Sequence, residues 1–501
     1  MADAIRFLLD GEIISIRDVD PTRTVLQWLR EDRLRTGTKE GCAEGDCGAC
    51  MVVVADVADD GESLRYQAIN SCIQFLSALD GKELITVESL SPAGGRLHPV
   101  QQAMVVHHGS QCGFCTPGFV MTLFAAYRSK PPLDRPATND ALAGNLCRCT
   151  GYRPIADAAE AMYTLGKDAS GDERLTAAHG AMSETAIAEE RRIIETLKSL
   201  QREDTLTIAN AGREIHLPTT PEQLAATLAA HPDATMVAGG TDVGLWVTKQ
   251  FRDMDQLIYM GGVKALQDIT VLDDAIRIGA GVTFTEAMPT LVEHFPALEP
   301  LLRRFASPPV RNAATVGGNV ANGSPIGDSM PAFIALNARV TLTSANGSRE
   351  LPLESLYIDY MVNAIEPGEF VASIVIPKLN PNQTLAAYKL SKRFDQDISA
   401  VCAVFVATVD EGHCVSLRTG FGGMAAIPAR AMQCEAAMTD VVLNEATVQT
   451  AMSALDQDFT PMTDMRASDS YRREAARNLL YRFFLALTEP EIDTEVYDYG
   501  R

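Results

Sequence analysis

The sequence is poor in basic residues. Its 43 lysines and arginines are outnumbered by 65 aspartates and glutamates, which gives a formal net charge of −22 at pH 7. Proteins that bind nucleic acids or anionic membrane surfaces rely on clustered positive charge. The charge balance therefore argues against a nucleic-acid or membrane-surface partner.

The chain also lacks long apolar runs. Its start, Met-Ala-Asp-Ala-Ile-Arg, does not have the charged-then-apolar order of a signal peptide, and no stretch is long enough to cross a bilayer. Eight of the eleven cysteines are concentrated in the first 149 residues at short spacings. This concentration favours a reducing, cytoplasmic compartment over a disulfide-bonded extracellular one.

The densest motif is Gly-Cys-Ala-Glu-Gly-Asp-Cys-Gly-Ala-Cys at residues 41–50. With one later cysteine it gives the C-x4-C-x2-C…C spacing of plant-type [2Fe–2S] proteins. Interspersed glycines would let the backbone wrap a cluster closely. A structural zinc site and buried free thiols are the alternatives, although zinc ligands usually come as two short pairs. The predicted ligands are Cys42, Cys47, Cys50 and Cys72.

A second cysteine set lies in a helical region. Cys112 and Cys115 occupy one predicted interhelical loop, with Thr116 placed to cap the following helix and Pro117 in its first turn. Cys147 and Cys149 occupy another such loop. A thioredoxin-like pair would need a βαβ context, and zinc would fit the C-x-C spacing poorly. A second [2Fe–2S] cluster at the end of a four-helix bundle is the favoured prediction.

The length of 501 residues predicts about three domains of ~150 residues. Composition and periodicity divide the chain further, and residues 168–205 read as an interdomain linker with one amphipathic helix near 191–201. The predicted parts are a ferredoxin-like domain at 1–91, a helical domain at 92–167, the linker, an α/β domain at 206–380 and an α+β C-terminal part at 385–490. The overall fold class is therefore α+β and α/β multidomain.

A glycine-rich turn follows the predicted strand at 235–238. Its Gly-Gly-Thr-Asp-Val-Gly sequence is not the G-x-G-x-x-G fingerprint, so a Rossmann domain is not supported. Such a turn still exposes backbone amides that can bind a pyrophosphate. A second glycine loop at 315–328 suggests one extended phosphate-bearing ligand held from two sides. Two ordinary strand turns are the alternative.

These motifs, taken in order, resemble those of the molybdenum hydroxylases. The cysteine loop, Gln-Cys-Gly-Phe-Cys-Thr-Pro-Gly, Asn-Leu-Cys-Arg-Cys-Thr-Gly-Tyr-Arg-Pro and the two glycine loops are most similar to the iron–sulfur and FAD subunit of bacterial xanthine dehydrogenase. The resemblance covers nearly the whole chain except 168–205. It implies a β-grasp ferredoxin domain, a four-helix [2Fe–2S] bundle and a two-part FAD-binding domain, with a PCMH-like α/β part and an α+β C-terminal part.

The resemblance also implies roles for individual residues. The first cysteine set would bind the cluster nearer the flavin, and the second set the cluster nearer the molybdenum centre, with Gln111 touching its pterin. Residues 389–398 would form a mobile loop beside the flavin, and Tyr360 would lie at the nicotinamide entrance. The implied FAD-binding residues are Val237, Ala238, Gly239, Gly240, Thr241, Asp242, Val243, Gly244, Phe305, Thr315, Gly318, Asn319, Ser324, Asp328 and Lys389.

The function implied is electron transfer in xanthine dehydrogenase. Electrons from hypoxanthine or xanthine oxidation would pass through two [2Fe–2S] clusters to FAD and then NAD⁺. No part of the chain could house the pterin and substrate pocket, so a molybdenum-binding large subunit is expected as partner, in a dimer of heterodimers.

Two alternatives remain at the level of sequence. One is the same subunit in another molybdenum hydroxylase, such as an aldehyde or N-heterocycle dehydrogenase. Fusion of clusters and flavin in one chain favours xanthine dehydrogenase, and the lack of cysteines between Cys149 and Cys402 argues against a 4-hydroxybenzoyl-CoA reductase-type subunit. The other alternative is a non-enzymatic redox scaffold.

Overall fold

The structure is a computed structural model that describes residues 4–91, 95–165 and 173–494. It divides into two compact units near residue 264, and Ser307–Ala314 belong to the first unit. The predicted border at 91/92 and the first residues of the predicted linker, 168–172, lie outside the described residues.

The first unit begins with a five-stranded mixed sheet in the order β2-β1-β5-β3-β4. Asp10 and Gly11 both have positive φ and join β1 to β2 in a two-residue hairpin. Strand β5 runs parallel to β1 and antiparallel to β3, which gives the expected β-grasp sheet. The elements are β1 (Ile5–Leu9), β2 (Glu12–Ile16), α1 (Val25–Gln27), β3 (Met51–Val57), β4 (Leu64–Asn70) and β5 (Glu83–Ile85).

Four helices follow, as predicted: α2 (Pro99–Val106), α3 (Thr116–Ser129), α4 (Arg135–Leu142) and α5 (Arg153–Ala161). Helices α2 and α4 each contact both α3 and α5, so the four close into a bundle. One detail of the prediction is wrong. The residue at the N-cap of α3 is Cys115, and the Thr116 hydroxyl instead donates to the Ser110 hydroxyl at 2.7 Å.

The segment predicted as a linker is built into this unit. It contains α6 (Glu173–Thr176) and α7 (Glu184–Leu200), the latter longer than the helix expected at 191–201. Apolar side chains of α7 join the core shared by the sheet and the bundle. Arg174, with its side chain 2% exposed, pairs with Glu83 at 2.8 Å. Tertiary packing therefore makes this polar segment part of the core.

A four-stranded sheet completes the first unit, in the order β6-β7-β9-β8. Strands β7 and β8 both run parallel to β9, while β6 and β7 form an antiparallel hairpin. The elements are β6 (Leu206–Asn210), β7 (Arg213–Leu217), α8 (Pro221–Ala230), β8 (Thr235–Val237), α9 (Val243–Thr248) and β9 (Gln256–Tyr259). The sheet places the predicted glycine turn directly after β8.

The second unit opens with an antiparallel sheet in the order β10-β11-β16-β12-β13. The elements up to β16 are β10 (Ile269–Val271), β11 (Ala275–Gly279), α10 (Phe284–His294), α11 (Glu299–Arg303), α12 (Pro308–Arg311, in the first unit), α13 (Val316–Asn322), α14 (Ser329–Ala335), β12 (Arg339–Ser344), β13 (Gly347–Pro352), β14 (Tyr357–Asp359), β15 (Val362–Asn363) and β16 (Phe370–Pro377). Helix α13 begins at the second glycine loop.

The C-terminal part carries a second antiparallel sheet, β17-β18-β19-β20. Its elements are β17 (Gln383–Leu390), β18 (Val401–Asp410), β19 (His413–Gly422), α15 (Met432–Ala437), β20 (Val441–Val442), α16 (Glu445–Asp458) and α17 (Asp469–Thr488). Cys402, Cys414 and Cys434 are buried. Within the described residues, none of the helices has the length and apolar character that crossing a bilayer requires.

Candidate redox sites

The first cysteine set comes together at one end of the β-grasp sheet. Cys42, Cys47 and Cys50 lie in the loop that leads into β3, and Cys72 follows the end of β4. The Cys42 thiol is hydrogen-bonded to the thiols of Cys47 and Cys72. Cys50 is hydrogen-bonded to Cys72, and both are buried. The fold therefore gathers the four sulfurs that the spacing predicted.

The loop backbone favours a thiolate at Cys42. The amides of Glu44 and Cys47 both donate to its Sγ at 3.4 Å. Hydrogen bonds from the Cys47 and Cys72 thiols, together with those amides, hold the pKa of Cys42 well below its ordinary value. Thiolates are the form in which cysteine binds metals.

The glycines of this loop lie where a side chain would collide with a cysteine sulfur or with a neighbouring loop. A Cβ at Gly41 would lie 2.8 Å from Cys47 Sγ, and Gly48 has a φ of +73°. A Cβ on Gly48 would also lie 2.3 Å from the Gly144 carbonyl oxygen of the bundle. Larger residues would therefore displace either the sulfurs or the neighbouring loop.

The second cysteine set lies at one end of the bundle and divides into two pairs. Cys112 and Cys149 are hydrogen-bonded to each other and exposed, beside the exposed Gln111. Cys115 and Cys147 form the partly buried pair. Burial, together with the Cys147 thiol, raises the pKa of Cys115 to about 12.

The sulfurs of each set lie near one another without all converging on one point. A single zinc ion holds its four sulfurs within about 4 Å of one another, given Zn–S distances near 2.3 Å. Within the described part of the chain, no three of these eight sulfurs lie mutually within 4.8 Å. In the first set Cys42 interacts with both Cys47 and Cys72, and Cys72 also interacts with Cys50, whereas the second set consists of the pairs 112–149 and 115–147. The assignment of each set to one [2Fe–2S] cluster stays a prediction from the cysteine spacing.

The two cysteine loops touch each other. The Leu146 amide, next to Cys147, donates to the Cys47 carbonyl oxygen at 2.9 Å. The Asn145 side chain donates to the Gly48 carbonyl oxygen at 3.4 Å, and its own oxygen accepts from the Thr122 hydroxyl at 2.8 Å. Main-chain contact thus joins the partly buried pair of the second set to the loop of the first.

The glycine turn after β8 packs against the first cysteine loop, a neighbour that the sequence analysis missed. Gln74, two residues after Cys72, donates from its side chain to the Gly239 carbonyl oxygen at 2.7 Å. Lys249 donates to the Cys42 carbonyl oxygen at 2.7 Å. Long sequence separation hides such contacts from local patterns.

Most glycines of this turn have a packing reason. Positions 237–244 run from the end of β8 through the turn into α9, as predicted. A Cβ on Gly239 would lie 1.8 Å from the Ala313 carbonyl oxygen, and one on Gly244 would lie 2.4 Å from that of Ile73. Gly240 has a φ of +70°, which favours glycine by conformation. The turn therefore combines close backbone packing with one residue, Gly240, in the left-handed conformation. Successive backbone amides in such a turn can point to the same side.

The second glycine loop is ordered by its own side chains. Thr315 Oγ1 accepts from the Gly318 amide at 3.0 Å and caps α13. Asn319 Oδ1 accepts from the Ser329 hydroxyl at 2.6 Å, and Ser324 Oγ accepts from the Ile326 amide at 3.4 Å. These contacts hold the loop in one conformation, with the side chains of Thr315, Asn319 and Ser324 acting as acceptors.

Asp328 is the centre of a buried polar cluster. Its carboxylate, 3% exposed, accepts from Lys389 Nζ at 2.7 Å and from the Ser399 hydroxyl at 2.7 and 2.9 Å. Two of the predicted FAD residues are thus brought together, and Ser399 was missed. These hydrogen bonds connect the start of α14 to β17 and to the residues just before β18. The Asp328 carboxylate is therefore already hydrogen-bonded within the protein.

Arg304 anchors the segment beyond β17. Its guanidinium donates to the carbonyl oxygens of Lys389 at 2.9 Å and Phe394 at 2.7 Å. The neighbouring Phe305 packs edge-on against Phe284, with ring centroids 4.8 Å apart. Tyr360 is exposed beside the β14–β15 pair, and its role at a nicotinamide entrance stays a prediction.

Comparison with known protein families gives four matches along the chain. Residues 7–76 match the 2Fe-2S iron–sulfur cluster binding domain, and residues 86–160 match the [2Fe-2S] binding domain. Residues 209–379 match the FAD binding domain in molybdopterin dehydrogenase, and residues 386–487 match the CO dehydrogenase flavoprotein C-terminal domain. The chain thus contains both [2Fe–2S]-binding and FAD-binding domains.

Individual relatives agree with these matches. The chain is 34% identical to the xanthine dehydrogenase of Emericella nidulans, over 96% of the chain and 38% of that protein. It is 30% identical to the xanthine dehydrogenase of Drosophila subobscura, over 96% of the chain and 39% of that protein. The chain therefore spans about two fifths of these relatives. It is also similar to a chain of CO dehydrogenase from Oligotropha carboxidovorans, with 26% identity, a TM-score of 0.51 and coverage of 54% and 94%.

Proposed function

Since the chain carries the four domains of the iron–sulfur and FAD small subunit of the molybdenum hydroxylase family, we propose that it is the electron-transfer subunit of a xanthine dehydrogenase. In this proposal Cys42, Cys47, Cys50 and Cys72 hold one [2Fe–2S] cluster, and Cys112, Cys115, Cys147 and Cys149 hold the other. The two glycine loops hold one FAD. The final acceptor is NAD⁺, and the protein works in the cytoplasm.

One observation carries the proposal: the candidate sites form an unbroken series in the first unit. In the bundle loop, the Leu146 amide donates a hydrogen bond to the Cys47 carbonyl oxygen. In the glycine turn, the Gly239 carbonyl oxygen accepts one from the side chain of Gln74, which lies two residues after Cys72. When bound, iron–sulfur clusters carry single electrons, and flavin recombines two electrons into a hydride. The chain's own contribution is to hold these sites in contact, through a main-chain hydrogen bond in the first case and a side-chain-to-main-chain hydrogen bond in the second.

The exposed end of the series supports a molybdenum-binding partner. Cys112 and Cys149 are exposed, and Phe114, Leu146 and Tyr152 beside them are 48%, 39% and 41% exposed. Clustered apolar exposure of this kind marks interaction surfaces. We therefore place the partner's pterin at this end, next to Gln111, and propose that two such heterodimers associate.

The second candidate function is the same subunit in another molybdenum hydroxylase. The similarity to the CO dehydrogenase chain favours it, since the fold of the flavin part is common to both. The substrate is chosen on the partner chain in either case. Substrate identity therefore has to be measured on the complex.

The test is to isolate the full chain with the protein that co-purifies and to supply xanthine, an aldehyde or an N-heterocycle, each with NAD⁺. We expect equal amounts of urate and NADH from xanthine. Reduction of the complex by another substrate and not by xanthine would support the second candidate. A complex without flavin and without NADH-dependent dye reduction would instead indicate a redox scaffold and contradict both.

A further inference from the structure

Three side chains with metal-binding groups meet in the first unit, apart from the cysteine sets. Glu214 and His216 lie two residues apart in β7, so their side chains lie on the same face of the sheet. His231 is the C-cap residue of α8, the helix that follows. One ligand atom from each of the three residues lies within 4.8 Å of the other two.

His216 is buried with one ring nitrogen unsatisfied. The residue is only 5% exposed, and its Nδ1 pairs with the Thr207 hydroxyl at 2.9 Å. Its Nε2 is buried and has no hydrogen-bond partner, although Glu214 Oε2 lies 3.6 Å away. A buried polar atom left in this way is costly unless something binds it.

The pairing of Nδ1 matches the usual environment of a metal-binding histidine. Such a histidine normally donates its second ring N–H to an oxygen, which orients the ring and leaves the other nitrogen's lone pair for the metal. The Thr207 hydroxyl can accept from Nδ1 and so direct the Nε2 lone pair toward Glu214 and His231. Thr207 faces His216 across the β6–β7 ladder, so strand register sets this orientation.

His231 can complete the group if its ring rotates out of the stack. Its ring stacks on that of His216, with centroids 4.2 Å apart and planes inclined by 30°. Tetrahedral ligands at 2.0–2.1 Å from zinc lie about 3.3 Å apart. Because His231 and Glu214 are both partly exposed, rotation of their side chains can bring the three atoms to that separation.

We propose that Glu214, His216 and His231 bind one divalent transition-metal cation of the zinc class, with water as a fourth ligand. Two imidazoles and one carboxylate select such ions over magnesium or calcium, which prefer oxygen ligands. The cation would join β7 to the end of α8, just before β8. It would thus stabilise the sheet that carries the glycine turn, from the opposite end of β8.

The competing interpretation is a metal-free cluster in which protonated His216 pairs with Glu214. Both arrangements satisfy Nε2, but only the proposed one requires His231. A variant of His231 therefore separates them, and a variant of Glu214 tests the third ligand. His179, an exposed histidine of the same unit, provides a matched control.

The experiment uses the full chain, free of any histidine tag and with its iron content verified. The protein is dialysed against a chelator and titrated with Zn²⁺ by calorimetry. We expect one Zn²⁺ per chain in the wild type and in His179→Gln. In His231→Gln and Glu214→Gln we expect the affinity to fall at least about tenfold.

X-ray absorption at the zinc edge gives a second readout that does not depend on variant folding. Nitrogen and oxygen ligands at about 2.0–2.1 Å, with imidazole scattering, are expected. Sulfur ligands near 2.3 Å would assign the zinc to vacant cluster cysteines and overturn the proposal. No binding by the wild type, or equal binding by His231→Gln, would overturn it as well.

Discussion

At the scale of single residues, neighbours decide what a cysteine does. The cysteines of the two sets have sulfur neighbours, whereas Cys414 and Cys434 lie in the apolar core of the C-terminal part. Burial raises the pKa of Cys414 to about 11, so that thiol stays protonated and inert near neutral pH. The same residue type therefore serves two purposes in one chain.

Replacing Cys50 with serine should remove one of two paramagnetic cluster signals and about half of roughly four irons per chain. Cys50 is 1% exposed and lies within the first sulfur group, so the second group should be unaffected. The measurement is iron analysis with electron paramagnetic resonance of the reduced protein. Cys434→Ser, a buried thiol outside both sets, should keep both signals. Zinc in place of iron in protein purified without oxygen would contradict the cluster assignment.

His98 is a residue whose protonation should affect stability. Its Nδ1 accepts from the Val100 amide at 3.2 Å and caps α2, while its Nε2 hydrogen-bonds to the Leu175 carbonyl oxygen at 2.9 Å. Complete burial lowers the pKa of His98 to about 4 from an ordinary 6.5. Below pH 6.5 the unfolded chain therefore takes up a proton that the folded chain excludes.

The contribution of neutral His98 is fully present above pH 6.5 and is lost as the pH falls toward 4. Between pH 7.5 and 5.5 we expect it to decrease by about 1 kcal/mol. The contribution of His98 to the free energy of unfolding is isolated by comparing urea unfolding of the wild type with that of His98→Asn, which retains a capping oxygen. The stability advantage of the wild type should shrink with acidification. An advantage that is independent of pH would contradict the assignment of a neutral buried imidazole.

At the scale of elements, helix α7 shows how packing overrides composition. Its sequence is polar enough to read as a connection, yet Ile193, Ile194 and Leu197 are buried in the core. The helix contacts β1 and β3. Its Glu190 pairs with the buried Arg128 at 3.1 Å, which satisfies a charge inside the unit.

Leu197→Ala should destabilise the first unit by about 2–5 kcal/mol, because Leu197 is fully buried and its truncation leaves a cavity. Ile187→Ala on the same helix should change stability by less than about 0.5 kcal/mol, since Ile187 is 46% exposed. Amide hydrogen exchange in β1 and β3 measures both effects. Equal protection in the two variants would mean that α7 is a peripheral connection.

At the scale of the whole molecule, the proposed order of sites predicts how electrons are routed. We expect the complete complex to lose its flavin when Gly240→Val and Asp328→Asn are combined in one variant. The first change introduces a side chain at a positive φ, and the second leaves Lys389 buried without its carboxylate partner. Both changes lie outside the two cysteine sets.

Xanthine oxidation by this flavin-free complex should continue with a dye that accepts electrons at the molybdenum or cluster end, and should cease with NAD⁺. Stopped-flow bleaching of the clusters by xanthine is the direct measurement. Wild-type complex with its substrate pocket blocked should still reduce dyes with NADH. If xanthine failed to reduce either cluster while molybdenum was fully loaded, the linear order would be wrong.

The sequence by itself determined the features that depend on short-range chemistry. The Asp10-Gly11 hairpin needs only two residues with positive φ, and the four bundle helices follow from local periodicity and their start and stop residues. Cysteine spacing likewise predicted which sulfurs group together in the structure. Each of these signals is contained within a few neighbouring residues or a fixed spacing.

Only the tertiary structure decided which distant groups meet. Gln74 and Gly239 are far apart in the chain, as are Arg174 and Glu83. The pairing of Asp328 with Ser399, and of His216 with His231, depends on how strands and helices pack. Such contacts arise because a folding chain must bury apolar surface and satisfy each buried polar group with whichever partner packing brings near.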